Sequence, residues 1–210
     1  MEIIISLISL LCLILAITVH EFCHALTADY LGDPTPRSNG RLTLNPLAHA
    51  DPIGTFLLPL FSALSGIPTI GWAKPVPIDP FNFQHPKRDE IIVSLAGPTS
   101  NLLLAIISSL ALRFLPINSW LIFYPLYLFA LINISLFVFN LIPIPPLDGS
   151  HVFLNLLPEN SRIKWEEAFA RYGFILLLLL VLFPINGHTI IGSVMTPIIQ
   201  LISNFLLPVL

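Results

Sequence analysis

Residues 3–24, IIISLISLLCLILAITVHEFCH, decide the fold of this chain. The first 17 of them form a lipophilic run in which only Ser6, Ser9 and Thr18 are mildly polar. At about 1.5 Å per residue, such a run covers about 25 Å of a hydrocarbon core roughly 30 Å thick. It therefore predicts a membrane-spanning helix over residues 3–30, with the pattern at residues 20–24 just inside one membrane face.

The last five residues of this stretch read H-E-x-x-H, which is typical of a metal site. His20 and His24 are four residues apart, so on a helix both imidazoles lie on the same face and can bind one ion. Glu21 lies about 100° around the helix, where it can take a proton from a metal-bound water. The alternative, two core histidines bonded to their neighbours, leaves unexplained a glutamate whose burial in lipid costs about 2.5–3.5 kcal/mol.

The composition indicates an integral membrane protein. The chain has 210 residues, of which 55% are hydrophobic and 10% are charged, whereas soluble domains carry about 25% charged residues. The net charge of −3 indicates no nucleic-acid partner. We expect no cleavable signal peptide, because the first segment lacks a basic start and its apolar stretch is too long.

The rest of the chain predicts an all-α membrane protein with five or six transmembrane helices. Further helices are expected over residues 90–115, 120–141, 172–183 and 189–210, with a charged surface segment over residues 162–169. Small residues in the second long helix, Gly97 among them, permit close helix approach. We expect one membrane-embedded domain, residues 1–210, with a catalytic core over about 1–155 and accessory helices over about 160–210.

Two segments between the first two long helices are harder to place. Residues 51–66 are apolar but short for a span and are interrupted by Pro52 and Pro59, which predicts a re-entrant or interfacial segment. Residues 71–80, rich in proline, are typical of extended chain, an edge strand or a short membrane-associated β-hairpin.

Charge predicts the orientation. If residues 51–66 do not cross, eight of the nine Lys and Arg residues lie on one side, with Arg113 alone opposite. The positive-inside rule then makes that side cytoplasmic. This predicts a multi-pass protein of the cell membrane with five spans, an external N-terminus and an active site toward the cytoplasm.

A catalytic zinc ion needs three protein ligands and one open position. Pro143, Pro145 and Pro146 break a helix at membrane depth, which is tolerated only where the chain is buried in protein or lines a cavity. Asp148 follows this break and can complete the coordination. Two alternatives stay open at this point: Asp148 caps the next helix, or His151 is the third ligand.

Five motifs, taken in order over residues 16–151, together resemble the site-2 protease family. They are His20-Glu21-x-x-His24, Asn45-Pro46 followed by Asp51-Pro52-x-Gly54, Gly71-Trp-Ala-Lys-Pro-Val-Pro, Ala96-Gly97-Pro98-x-Ser100-Asn101, and Asn140-x-x-Pro143-x-x-Pro146-Leu-Asp148-Gly149. The resemblance implies an intramembrane zinc metalloendopeptidase, active in regulated intramembrane proteolysis, that cuts transmembrane segments of membrane-protein substrates in the bilayer. We expect no PDZ or CBS domain within residues 1–210, in which the chain would depart from many members.

The resemblance also implies residue roles. His20, His24 and Asp148 are implied as ligands of one zinc ion, and Glu21 as the general base. Asn140 is implied to bind substrate; Asn101 is a second candidate for substrate binding or for support of the site. The rival function is a divalent-metal transporter or metal-sensing membrane protein that uses the same ligands. It would not require Glu21 and would more often show ligands on both sides of the midplane.

Overall fold

A computed structural model describes residues 2–57, 73–116, 119–185 and 188–207. The helices are α1 (Glu2–Tyr30), α2 (Thr35–Ser38), α3 (Pro46–His49), α4 (Pro86–Phe114), α5 (Trp120–Asn140), α6 (Asp148–Leu156), α7 (Glu159–Leu182) and α8 (Ile190–Leu206). A π-helical turn (Pro52–Leu57), a 3₁₀ turn (Pro80–Asn82) and the strands β1 (Pro184–Ile185) and β2 (His188–Thr189) complete the described elements.

In the part of the chain that the structure describes, three helices are long and apolar enough to cross a membrane: Ile4–Tyr30 within α1, and the whole of α4 and α5. Helix α4 packs against both of the others, which also contact each other. Ala16 of α1, Ala105 of α4 and Ala130 of α5 are fully buried, and side chains this small let the helix backbones approach closely. The predicted all-helical membrane fold is thus confirmed in its main elements.

The long helices follow the predicted ranges with one shift. Helices α1 and α5 begin and end within one residue of the prediction. Helix α4 begins at Pro86 rather than at residue 90, because a proline is well tolerated in the first turn, where its missing N–H has no helical partner. The charged segment and the apolar helix that follows it form one continuous helix, α7.

Residues 141–147 form a tight bend between α5 and α6. Gly149, at the start of α6, is required by this bend: a Cβ atom there would lie 2.5 Å from the carbonyl carbon of Leu141 and 2.7 Å from the oxygen of Ile142. The glycine therefore packs against the preceding bend. This close return brings Asp148 back to the end of α5.

Residues 73–79 run extended, as predicted. The hydrogen bonds that their backbone N–H groups donate go to acceptors that do not belong to a strand. Lys74 N donates to the carbonyl of His49 at 2.9 Å, and Val76 N donates to the Glu21 carboxylate at 3.2 Å. Residues 58–72 lie outside the described residues, and so does most of the segment predicted to be re-entrant. The described β-hairpin lies elsewhere, where β1 and β2 pair antiparallel.

The last helix, α8, and the residue that follows it pack against α4 and α5. Leu207, directly after α8, is buried in a cluster with Ala105, Leu112, Ala130 and Ile134. The Ser109 hydroxyl of α4 also donates to the Leu206 carbonyl. Helix α7 meets the bend before α6, where Gly173 lies against the ring of Pro145.

Candidate metal centre

Three predicted ligands converge at one point between α1 and α6. The Nε2 atoms of His20 and His24 are 3.0 Å apart. Oδ2 of Asp148 lies 3.1 Å from Nε2 of His20 and 3.4 Å from Nε2 of His24. Among the described residues, these three form the one group of His, Cys, Asp and Glu side chains positioned to hold a metal ion.

The opposite nitrogen of each imidazole is held by α4. Nδ1 of His20 lies 2.6 Å from Oδ1 of Asn101, and Nδ1 of His24 lies 2.7 Å from the carbonyl of Val93. Both partners are acceptors, so each Nδ1 carries the proton and each Nε2 presents a lone pair. Metal-binding histidines are typically oriented in this way.

Asp148 fits a metal better than it fits a capping role. It is the first residue of α6 and follows Leu147, the N-cap residue, at which no side-chain capping bond is found. Its Oδ2 is buried and has no hydrogen-bond partner among the described residues, although buried polar atoms are normally satisfied. An oxygen left in this state between two imidazole lone pairs is what a bound cation would satisfy, so the alternative that Asp148 caps the helix is disfavoured.

Gly97 of α4 leaves the space that the two imidazoles occupy. A Cβ atom at this position would lie 2.6 Å from Cε1 and Nε2 of His20 and would also overlap Nε2 of His24. Any larger residue would therefore displace the ligands. The close approach predicted from the small residues of α4 is confirmed here, at the site itself.

Glu21 lies beside the ligands and faces the same cavity, which has a volume of about 510 Å³. Its Oε2 accepts a hydrogen bond from Val76 N at 3.2 Å. The cavity is also lined by Asn140, from the end of α5, and by the extended segment through Ala73, Pro75 and Val76. The carboxylate, the ligands and a backbone edge therefore share one chamber.

The two predicted substrate-binding asparagines occupy different places. Asn140 lines the cavity, and its Nδ2 donates to the carbonyl of Leu136 in its own helix at 3.1 Å. Asn101 is fully buried behind His20. Its Nδ2 donates to Oδ1 of Asn133 at 2.9 Å. The geometry suits Asn101 to support of a ligand more than to contact with a peptide.

His151, the rival third ligand, points its Nδ1 at Glu90 of α4 at a distance of 3.0 Å. It does not join the group of three that can hold an ion. His49 is buried, with its Nε2 2.8 Å from the carbonyl of Thr43. His85 is exposed and precedes α4. The structure therefore favours Asp148 over His151 as the third ligand.

Asp33 ties the cavity wall to the end of α1, a role that the sequence did not reveal. Its carboxylate accepts from Thr35 N at 3.0 Å, from Asp79 N at 2.8 Å and from Asn82 Nδ2 at 2.8 Å. Burial alone would raise the pKa of Asp33, but these hydrogen bonds outweigh it and lower the pKa below its ordinary value. The partners lie up to 49 residues away in sequence, so no local pattern indicates them.

The chain is similar to known metalloproteases. A family model described as "Peptidase family M50" matches residues 116–181. The chain is 37% identical over 186 residues to "Putative zinc metalloprotease YwhC" of Bacillus subtilis, covering 85% of this chain and 81% of that protein. It is 36% identical over 179 residues to "Putative zinc metalloprotease Rip2" of Mycobacterium tuberculosis, covering 83% of this chain and 66% of that protein. No solved structure matches the chain.

Proposed function

The chain belongs to peptidase family M50, the site-2 protease family, and from this premise we propose that it is an intramembrane zinc metalloendopeptidase. It hydrolyses peptide bonds in or near the transmembrane segments of membrane proteins, as in regulated intramembrane proteolysis. One observation carries the proposal: Asp148 meets His20 and His24, two buried residues of an apolar helix long enough to span a membrane, and Glu21 faces the same cavity. The transporter alternative does not account for Glu21.

His20 and His24 present Nε2, and Asp148 presents Oδ2, as the three ligands of the ion. A zinc ion held by these residues would supply a water of lowered pKa and a Lewis acid for the scissile carbonyl. Glu21 accepts the proton released as the water oxygen attacks the carbonyl carbon. It then passes this proton to the nitrogen as the C–N bond breaks, so that the products are a carboxylic acid and an amine, which become a carboxylate and an ammonium group when the acid proton moves to the amine.

The substrate has to be extended when it reaches the ligands, because a helix buries its own carbonyls in hydrogen bonds. The extended wall at residues 73–79 lines the cavity and can hold such a segment by strand addition. Asn140 lines the same cavity, and its amide offers both a donor and an acceptor to a peptide backbone. We assign it to substrate binding.

The membrane arrangement belongs to the same proposal. Helices α1, α4 and α5 are three spans, and the apolar second half of α7 together with α8 would make five. The N-terminus would then be external. The residues between α1 and α4 would be cytoplasmic, as would the start of α7, and the metal centre would open toward the cytoplasm.

The test compares wild type with Glu21→Gln, which preserves shape but removes the proton acceptor. Each is expressed in cells that lack the endogenous gene, and membrane-protein fragments are quantified by mass spectrometry. Fragments cut in or near transmembrane segments should appear with wild type only, while the purified variant should keep its zinc and its melting temperature. Equal fragment sets from both proteins would refute the mechanism and revive the transporter alternative.

A further inference from the structure

His151 and Glu90 form a second polar pair near the metal centre. Nδ1 of His151 lies 3.0 Å from Oε1 of Glu90, which joins α6 to the first turns of α4. Asp148 is one helical turn before His151 on α6, and side chains three residues apart on a helix are neighbours, with Cβ atoms about 5–6 Å apart. His151 therefore stands next to a metal ligand without being one.

Both members of the pair line the cavity that contains the ligands and Glu21. The Glu90 side chain is 16% exposed, whereas that of His151 is 53% exposed. The less exposed Glu90 carboxylate thus holds Nδ1 of the more exposed His151 ring. The other nitrogen, Nε2, has no protein partner among the described residues and remains available to a molecule in the cavity.

Peptide hydrolysis is assisted by a hydrogen-bond donor that faces the oxygen of the scissile carbonyl. Negative charge develops on the carbonyl oxygen as the carbonyl carbon is attacked, and preorganised hydrogen-bond donors that face this oxygen lower the barrier. An imidazolium has a donor on each ring nitrogen, so a protonated His151 can donate to Glu90 through Nδ1 and to a molecule in the cavity through Nε2. His151 can therefore supply the hydrogen-bond donor, and Glu90 can hold the imidazole ring in position.

We propose that His151 is a second catalytic residue, which donates a hydrogen bond from Nε2 to the carbonyl oxygen of the scissile bond. Glu90 is its positioning residue. The inference rests on the proposed function, since it assigns a further role within the same peptide hydrolysis. It also assigns a role to His151, which is not one of the three proposed metal ligands.

The competing explanation is structural: the pair merely ties α6 to α4. Two amide substitutions separate these roles. In His151→Asn the amide nitrogen stands near the position of Nδ1, so that the contact with Glu90 survives and the cavity donor is lost. In His151→Gln the longer side chain places its amide nitrogen near the position of Nε2, so that the donor is restored and the tie to Glu90 is weakened.

The experiment uses the full chain, loaded with zinc in lipid nanodiscs, and a hydrophobic phosphonamidate peptide as the probe. The tetrahedral P–O group of this probe resembles the attacked carbonyl, and its binding requires no turnover. Zinc content and melting temperature are measured for every variant. His85→Asn, an exposed histidine outside the cavity, is the matched control.

His151→Asn should bind the probe at least about 10-fold more weakly, and its kcat should fall by about 10²-fold, as for the loss of one oxyanion donor. Its zinc content and stability should not change. His151→Gln should recover part of the loss, and His85→Asn should match wild type. Wild-type binding by His151→Asn, or losses that follow the melting temperature in both variants, would overturn the proposal. Failure of zinc-loaded wild type to bind the probe would instead overturn the proposed function, and this inference with it.

Discussion

Oδ1 of Asn101 lies 2.6 Å from Nδ1 of His20, and this contact determines which nitrogen of His20 faces Asp148. Asn101 is itself held through its Nδ2 by Oδ1 of Asn133, whose own Nδ2 donates to the Phe129 carbonyl at 2.8 Å. Buried amide side chains of α4 and α5 therefore orient His20, a predicted metal ligand on α1.

Replacing Asn101 by alanine should weaken zinc binding about 10- to 100-fold, which is the usual effect of removing a partner that orients a metal-binding histidine. Zinc affinity is measured by competition with a chelator. Ser100→Ala is the neighbouring control, because its buried hydroxyl bonds to the Gly97 carbonyl and not to a ligand. Equal affinity of wild type and Asn101→Ala would show that α1 alone orients His20.

Gly97→Ala should lose zinc more completely than any substitution behind the ligands. Its added methyl group would lie 2.6 Å from two ring atoms of His20, a separation that forces the imidazoles apart. Zinc content of the purified variant is the measurement, with Thr99→Ala, an exposed position on the same helix, as control. Full zinc occupancy in Gly97→Ala would mean that α4 can move away from α1 without harm to the site.

The sequence predicted the metal centre because its main pattern is local. The spacing of His20 and His24 is a property of one helix, and a proline-broken helix end before Asp148 indicates a chain that lines a cavity at membrane depth. The choice between Asp148 and His151 needed the structure, since the two are one turn apart on α6. What separates them is the contact of His151 with Glu90, 61 residues away in sequence.

Other features were beyond sequence reasoning for the same reason. Glu21 and Val76 are 55 residues apart, and Asp33 and Asp79 are 46 residues apart. Neither contact leaves a periodic signal, because each depends on how α1, α4 and the connection between them pack. Membership of family M50 confirms the resemblance drawn from the motifs, while the number of spans stays a prediction beyond the three long apolar helices.

Asp33→Asn should destabilise the protein in a pH-dependent way. The amide can accept through one oxygen only and must turn its NH₂ toward an N–H donor. The free energy of unfolding should therefore fall by about 1.5–3 kcal/mol, which is the usual contribution of a hydrogen bond to a charged group. Because the folded-state pKa lies below the ordinary value, the carboxylate contributes fully above that value, about 3.9, and its contribution is lost as the pH falls through the folded pKa.

The measurement is the melting temperature of each protein in detergent at a series of pH values. The difference between wild type and Asp33→Asn should be constant above about pH 5 and should shrink below about pH 4. Zinc loss in acid affects both proteins alike and cancels in the difference. A difference that persists unchanged at low pH would show that the charge of Asp33 is not what holds the segment.

Lys74 provides a test of orientation, because it is exposed beside the cavity wall and is predicted to be cytoplasmic. In a protein whose Cys12 and Cys23 are replaced by alanine, Lys74→Cys should not react with an impermeant thiol reagent added to intact cells. Ser119→Cys, between α4 and α5, should react, since the positive-inside rule places that connection outside. Labelling at position 74 from outside would reverse the proposed topology.

The final prediction concerns the third ligand. Asp148→Ala should lose zinc, because Asp148 completes the group of three side chains that is positioned to hold an ion, and the two imidazoles alone leave the site one ligand short. His151→Asn should keep zinc at one ion per chain, since Nδ1 of His151 is committed to Glu90. Metal analysis of both purified variants, beside wild type, is sufficient. Zinc retained by Asp148→Ala and lost by His151→Asn would move the third ligand to His151, and would at the same time remove it as the donor to the scissile carbonyl.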